Sequence, residues 1–451
     1  MKKLFGDAEF IKKLILIALP IGLQTMVNMF VNLIDTIMVG RLGDIALSSV
    51  NISSQFPFLY MMGMMGLCNG GMILAAQAWG NKRKDIVKAM TAYLFRLCGI
   101  ANIVFFLLAF LIPGPIISIY TNNAGIIETG TVYLRMLSWC FLFQSFPLLF
   151  VTLLRSIGEA NLGFVSSVYA CLANVFFNWV FIFGNLGFPA MGVLGAAVGT
   201  VMARVTELIV VLVFLIRDKK LQFRPKDLLL KLEKPVKRDF YRIGLPSLVS
   251  ELTGNLNVSA AAMITGRVSE YYIAANSIVH NIWTISSLFL FGIATGANVI
   301  IGHMIGAKEI DKAKEASGYI MNMAILIGLG GAVLIHVLAP LIISFFNVSE
   351  MTVMTAQKLK NAASVIMLFM SLQMILTKGV LRGGGQAAAV TRVDLISCWL
   401  VNIPVGYFVA LVLKADPFWI YLSLRCDYFI KSVWGIWKIR KTDWIIRLNV
   451  D

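Results

Sequence analysis

Apolar runs long enough to span a bilayer, about 20 residues each, recur along the whole chain. They fall near 14–39, 51–79, 89–113, 131–153, 163–184, 192–216, 240–265, 277–305, 316–343, 353–378, 390–413 and 418–438. Their length, and the lack of short alternating segments, predict helices rather than a β-barrel. The first run is interrupted from within. Residues 24–40 read QTMVNMFVNLIDTIMVG, which sets Gln24, Asn28, Asn32 and Asp35 on an otherwise apolar helix. Spacings of 4, 4 and 3 place the four side chains within an arc of roughly 80°. A polar stripe on a lipid-compatible helix must face something other than lipid. Pro20, earlier on the same helix, removes one helical hydrogen bond and permits a bend there.

The runs are duplicated. At an offset of 226 positions, Leu19-Pro20 meets Leu245-Pro246, Gly40-Arg41 meets Gly266-Arg267, Gly80 meets Gly306, and Ile116-Ile117-Ser118 meets Ile342-Ile343-Ser344. At 227, Leu154-Arg155 with Gly158 meets Leu381-Arg382 with Gly385. So little drift over most of each half marks an internal repeat. Six spans per half is an even number, so both halves start on the same side of the membrane. The expected fold is an all-α polytopic membrane protein of about twelve transmembrane helices in two parallel six-helix repeats. A pseudo-twofold axis along the membrane normal relates them. The expected domains are an N-terminal lobe (1–216), a linker (217–238) and a C-terminal lobe (239–451). Transporters use such repeats for alternating access, rocking one bundle against the other. The polar stripe exists in one copy only: Asn28, Asn32 and Asp35 map onto Gly254, Val258 and Ala261.

Composition sharpens the class. The 451 residues are 59% hydrophobic and 14% charged, with mean hydropathy +0.82, against about 25% charged in soluble domains. The net charge of +16 raises the question of nucleic acid, but its distribution answers otherwise. Segment 217–238 holds nine Lys/Arg against three acids, and Lys2, Lys3, Lys12 and Lys13 open the chain. Lys82, Arg83, Lys84 and Lys88 follow the second span, and Lys438, Arg440, Lys441 and Arg447 follow the last. Loops 114–130 and 185–191 carry no Lys or Arg. This is the positive-inside pattern, with both termini cytoplasmic and the bilayer, not nucleic acid, as partner. The first span is too long for a signal-peptide core and is read as uncleaved. The six cysteines lie inside spans without paired spacing, and His280, His303 and His336 are scattered. Neither set spells a disulfide framework or a metal site. Without HExxH, GxSxG or Walker motifs, hydrolytic or ATP-driven chemistry has no candidate residues. The twofold repeat also argues against a receptor.

The segments LPIGLQTMVNMFVNLIDTIMVGRLG (19–43), QAWGNKRK (77–84), LLRSIGEAN (153–161), NVFFN (174–178), GVLGAAVGT (192–200), LRGGGQ (381–386), WLVNIPVGY (399–407) and KTDW (441–444) carry a resemblance over essentially the whole chain. Their order and duplication resemble the multidrug and toxic compound extrusion (MATE) family of cation-coupled antiporters. The resemblance implies export of small organic cations driven by inward Na⁺ or H⁺ across a bacterial-type inner membrane, with no cofactor and no metal beyond Na⁺. It implies a cation site at Asp35, Asn174, Asn178 and Thr200. Counted at about 1.5 Å per residue, all four share the outer half of the bilayer. One carboxylate with neutral amide and hydroxyl oxygens suits a monovalent ion. The Asn pair and Thr200 also admit a plainer reading, as groups that knit helices together.

The sequence departs from the family in the second half. Met370 stands three before Gln373, where an Asp is expected, and Gly385-Gln386-Ala387 replaces a familiar GDT. Glu251, with Asn255 at i+4, faces the substrate path or is a buried, hydrogen-bonded acid. Gln24, Asn28, Asn32, Glu251 and Asn255 are the candidate cavity residues, Pro20 the candidate gating kink, and MMGMMG (61–66) an adaptable wall or ordinary packing. Arg204 and Glu207 are spaced to pair. The alternative transporter, a lipid-linked saccharide flippase, calls for several inward cations, whereas the inward mid-span charges read as acidic.

Overall fold

The computed structural model describes residues 2–344, 346 and 348–448, all of it helix, turn and loop. Residue 1, residues 345 and 347, and residues 449–451, which the expected lobe boundaries enclose, lie outside the described residues, as do the side chains of Lys2 and Lys3. The first repeat comprises α1 (Ala8–Gly40), α2 (Gln55–Gly80, after a short helix Asp44–Ser53), α3 (Lys84–Leu111), α4 (Ala124–Leu142 and Ser145–Ser156), α5 (Asn161–Phe183) and α6 (Val193–Arg217). The second comprises α7 (Lys234–Thr265), α8 (Glu270–Gly306), α9 (Ile310–Ser344), α10 (Glu350–Leu381), α11 (Ala387–Val412) and α12 (Pro417–Ser423 and Cys426–Lys441). Side-chain caps start several of them: the amides of Ile126, Tyr272 and Thr352 donate to Asn123 Oδ1, Ser269 Oγ and Ser349 Oγ.

Among the described residues nine helices are long and apolar enough to cross a membrane unaided. Three of the twelve expected spans are not, each for a visible reason. The fourth bends by 41° between Leu142 and Ser145. The seventh carries Glu251, Asn255 and Asn257, and the twelfth breaks at Leu424-Arg425 and carries Asp427 and Lys431. Outward faces remain oily: Leu16, Ile100, Leu111, Ile216, Val337 and Leu400 are all more than half exposed, as lipid-facing positions require.

The repeat is written into the backbone. After α2, Lys82 takes φ 61°, and after α8, Lys308 takes φ 65°. The turn bonds match: Asn81 N to Gln77 O at 3.0 Å and Lys82 N to Trp79 O at 2.9 Å, then Ala307 N to His303 O at 2.9 Å and Lys308 N to Ile305 O at 3.0 Å. At the α4 and α10 ends, Gly158 and Gly385 adopt φ 86° and 82°, a conformation that glycine adopts without Cβ strain. The crossing of α2 on α8 is reciprocal. A Cβ on Gly80 would strike the backbone of His303, and one on Gly306 would strike the backbone of Gln77. His303 and Gly306 are Gln77 and Gly80 displaced by the repeat offset, so partners exchange as a twofold demands.

By packing, the chain forms two compact units: Leu23–Ala75 with Arg83–Lys237, and Met1–Gly22 with Ala76–Lys82 and Arg238–Asp451. In the former, α5 and α6 approach backbone to backbone, because Gly195 abuts the Phe181 carbonyl and Gly199 abuts the Asn178 carboxamide. Val39, Tyr133, Leu137, Ile182 and Ala197 pack a core beside them. The basic segment after α6 is fastened to the same unit. Lys84 and Lys88 donate to the carbonyls of Lys220 and Gln222 at 2.8 and 2.9 Å, and Lys88 pairs with Asp227 at 2.9 Å. Burial alone would raise the Asp227 carboxyl, but the Arg224 amide and the Lys88 ammonium outweigh it and hold the group below the usual carboxylate range. In the other unit, Gly328 and Gly331 let α9 close on Leu368 and Met367 of α10.

Candidate functional site

Asp35 lies near the end of α1, opposite α5. Asn178 donates from Nδ2 to Asp35 Oδ1 at 2.5 Å and to Asn174 Oδ1 at 3.3 Å. One turn of α5 separates the two amides, so helical spacing alone puts them on one face. Both are buried. Asn178 Oδ1 is buried without a hydrogen-bond partner, and it fills the space that a side chain at Gly199 would need. The next residue, Thr200, donates its hydroxyl to the Ala196 carbonyl at 2.9 Å, which leaves its oxygen lone pairs free to accept. Asp35, Asn178 and Asn174 thus come together and offer a carboxylate and amide oxygens, one of them orphaned, while no hydrogen bond joins Thr200 to them among the described residues. That donor set fits a hard monovalent cation or a proton.

The rest of the α1 stripe divides. Gln24 accepts a hydrogen bond from the Arg155 guanidinium, and Arg155 is buried on α4. Asn28 and Asn32 are exposed, and Thr36 donates its hydroxyl to the backbone carbonyl of Asn32. Pro20 sits inside the unbroken helix α1, two residues before the division between the packing units. Arg204 pairs with Glu207 at 2.7 Å, as the spacing predicts.

Glu251 belongs to a different constellation. Its Oε1 accepts from Arg382 at 2.8 Å and its Oε2 from Lys378 at 3.1 Å. Asn255 reaches only the Glu251 backbone carbonyl, at 2.9 Å. Over Met374–Leu381 α10 widens into a π-helix, and this stretch carries Lys378. Arg382 also donates to Ser250 Oγ at 2.6 Å, and Ser250 donates to Asp394 on α11. Asp394 pairs with Lys431 at 3.1 Å, and Lys431 with Asp427 at 2.9 Å. Six charged groups, all buried but Lys378, thus form one chain through α7, α10, α11 and α12. The expectation that inward mid-span charges are acidic is corrected here: Arg155, Lys378, Arg382 and Lys431 are intramembrane cations. For Arg155 and Arg382 the signal lay in the repeat, since they are matched positions, and so are their partners Gln24 and Ser250.

The comparisons agree with this architecture. The MatE family model matches residues 20–180 and again 246–408, so the two matches start at the paired prolines Pro20 and Pro246. The uncharacterized transporter YisQ of Bacillus subtilis is 24% identical over 431 residues, covering 94% of this chain and 93% of its own. A probable multidrug resistance protein NorM of Halalkalibacterium halodurans is 26% identical over 441 residues, covering 95% and 94%. Among solved structures, the crystal structure of MATE in the bent conformation superposes with TM-score 0.85 at 20% identity, covering 97% of each chain. The outward-facing conformation of a multidrug resistance MATE family transporter gives 0.84 at 20% identity, covering 98% of each. Matched in both halves by one family model and end to end by its relatives, this chain belongs to the MatE family.

Proposed function

We propose that this protein exports small organic cations in exchange for Na⁺ or H⁺ bound at the Asp35 cluster. The family is one of membrane transporters rather than enzymes, and this chain is a multi-pass transporter of the multidrug-efflux kind. The observation that supports the ion site is the contact of Asp35 with Asn178 beside an unpartnered, buried Asn178 oxygen. An intramembrane acid needs a counter-charge, a proton or an ion. If one state of the protein binds the ion and another releases it, the difference couples the gradient to substrate movement. Gln24, Asn28 and Asn32 share the α1 face with Asp35 and serve the substrate. No resident cofactor is needed. The placement of Lys and Arg in loops supports cytoplasmic termini in a bacterial-type inner membrane. Against a saccharide flippase stands the pairing of the intramembrane cations Lys378, Arg382 and Lys431 with acids, which leaves those three no free charge for a pyrophosphate.

The test is uptake of a fluorescent cationic dye by liposomes containing the purified protein, under an imposed Na⁺ or H⁺ gradient. Asp35→Asn keeps the shape and removes the charge, and should abolish gradient-driven transport while dye binding persists. Asn178→Ala should weaken ion dependence less, and Thr200→Ala less again, since each removes one neutral ligand. No dye movement under either gradient would refute the transport reading. Full coupling in Asp35→Asn would place the ion elsewhere.

A further inference from the structure

The unit that contains α8–α12 and most of α7 holds a half-open cavity of about 360 Å³, within the range of small-molecule sites. Asn276, His280 and Trp283 of α8, Asn257 of α7, and Arg425, Asp427 and Tyr428 at the break of α12 lie on its wall. None of these residues belongs to the Asp35 cluster.

Two features of the wall point to one kind of ligand. The first is charge. Glu251, Asp394 and Asp427 oppose Lys378, Arg382 and Lys431 in contacts of 2.8–3.1 Å, so the buried chain is neutral as a whole, and Asp427 is already committed to Lys431. Arg425 is left over. Among the described residues its side chain has no carboxylate within ion-pair distance and donates no hydrogen bond. Its guanidinium instead lies 3.7 Å from the Tyr421 ring centroid and 4.9 Å from that of Trp283. These cation–π contacts leave the guanidinium N–H groups uncommitted, and such a fork of donors receives a two-oxygen anion. The second feature is unmet hydrogen bonding. The indole N–H of Trp283, a donor that an anion can accept from, is buried without a partner, and Trp283 is only 8% exposed. Such groups are rare in native interiors unless something else completes them.

We propose that this cavity binds a small organic anion, a carboxylate on an aromatic or apolar body, with Arg425 as its counter-ion and Trp283 and Tyr428 as its walls. The site is additional to the cation pathway and of opposite polarity.

Calorimetric binding to the full-length protein in phosphatidylcholine nanodiscs tests it, with 2-naphthoate and its neutral analogue 2-naphthamide as probes. Zwitterionic headgroups of zero net charge leave no net-anionic lipid to compete with the probe. Wild type should bind naphthoate at least about tenfold more tightly than the amide. Arg425→Gln should weaken naphthoate by roughly 10- to 100-fold, the range for a charged hydrogen-bonded contact, and leave the amide unchanged. Arg425→Lys should retain part of the preference, Trp283→Phe should lose a few-fold, and Asp35→Asn should match wild type. Equal affinity for the two probes in wild type, or undiminished naphthoate binding in Arg425→Gln, overturns the proposal. If Arg425→Gln does not fold, undiminished binding in both Arg425→Lys and Trp283→Phe overturns it equally.

Discussion

Glu251→Gln separates a structural acid from a transport acid. Glutamine keeps the volume but turns one accepted hydrogen bond into a donor facing a cation. Arg382, whose side chain is 4% exposed, and Lys378, at 29%, then share two positive charges with no acid between them. Removing one partner of a buried pair costs about 3–5 kcal/mol. Lys378 reaches water in part, which screens its share, so the lower end, about 3 kcal/mol, is the expected loss. Thermal unfolding of the purified protein in one detergent, followed by tryptophan fluorescence, should show a midpoint several degrees lower. Adding Lys378→Met to Glu251→Gln removes the surplus cation, so the double variant should be more stable than the sum of the two single changes by about 1 kcal/mol or more. Ion dependence of efflux should stay as in wild type, because this acid already has its counter-charges. An unchanged midpoint, or strict additivity in the double variant, would refute the assignment of Glu251 as the centre of a buried ion chain.

Pro20→Ala restores an N–H to bond the Leu16 carbonyl, which should straighten α1 and slow turnover without altering ion affinity; wild-type turnover would remove any role for a bend. Gly80→Ala and Gly306→Ala should each lower stability by about 1–3 kcal/mol, and by similar amounts, because each Cβ meets the other helix's backbone; unequal effects in unfolding curves would break the equivalence. The lowered carboxyl of Asp227 stabilises the folded state above the unfolded-chain value of about 3.9, and that contribution fades as pH falls through the lower folded value. Unfolding midpoints of wild type and Asp227→Asn should therefore diverge above about pH 4 and converge below it, whereas a constant offset would exclude the linkage.

The spans and their duplication were legible because lipid imposes length and apolarity on every crossing helix, and because turns such as Gly158 and Gly385 depend on backbone conformation that only certain residues allow. The proximity of Asn174 and Asn178 followed from helical spacing, and the grouping of Asp35 with them followed from the family resemblance. The partners of Glu251 were not legible. They lie 127 and 131 positions away, and no local pattern encodes which distant cation a buried acid will meet. The same holds for Gln24 and Arg155, 131 positions apart. The weak apolarity of α7 and α12, which blurs them as spans, has the same origin, since those helices trade lipid compatibility for membership in the ion chain.

The distance between Glu251 and its cations also sets a schedule for biosynthesis. Glu251 leaves the ribosome 127 residues ahead of Lys378, and translation at about 5–20 residues per second turns that into a wait of roughly 6–25 s. During the wait α7 is complete while the charges that neutralise its acid have not been made. The acid has to pass this interval as the protonated, neutral form, or be held where water reaches it. Membrane insertion of α7 and the pairing of Glu251 with its cations are therefore separate events in time, and the second takes place when α10 arrives.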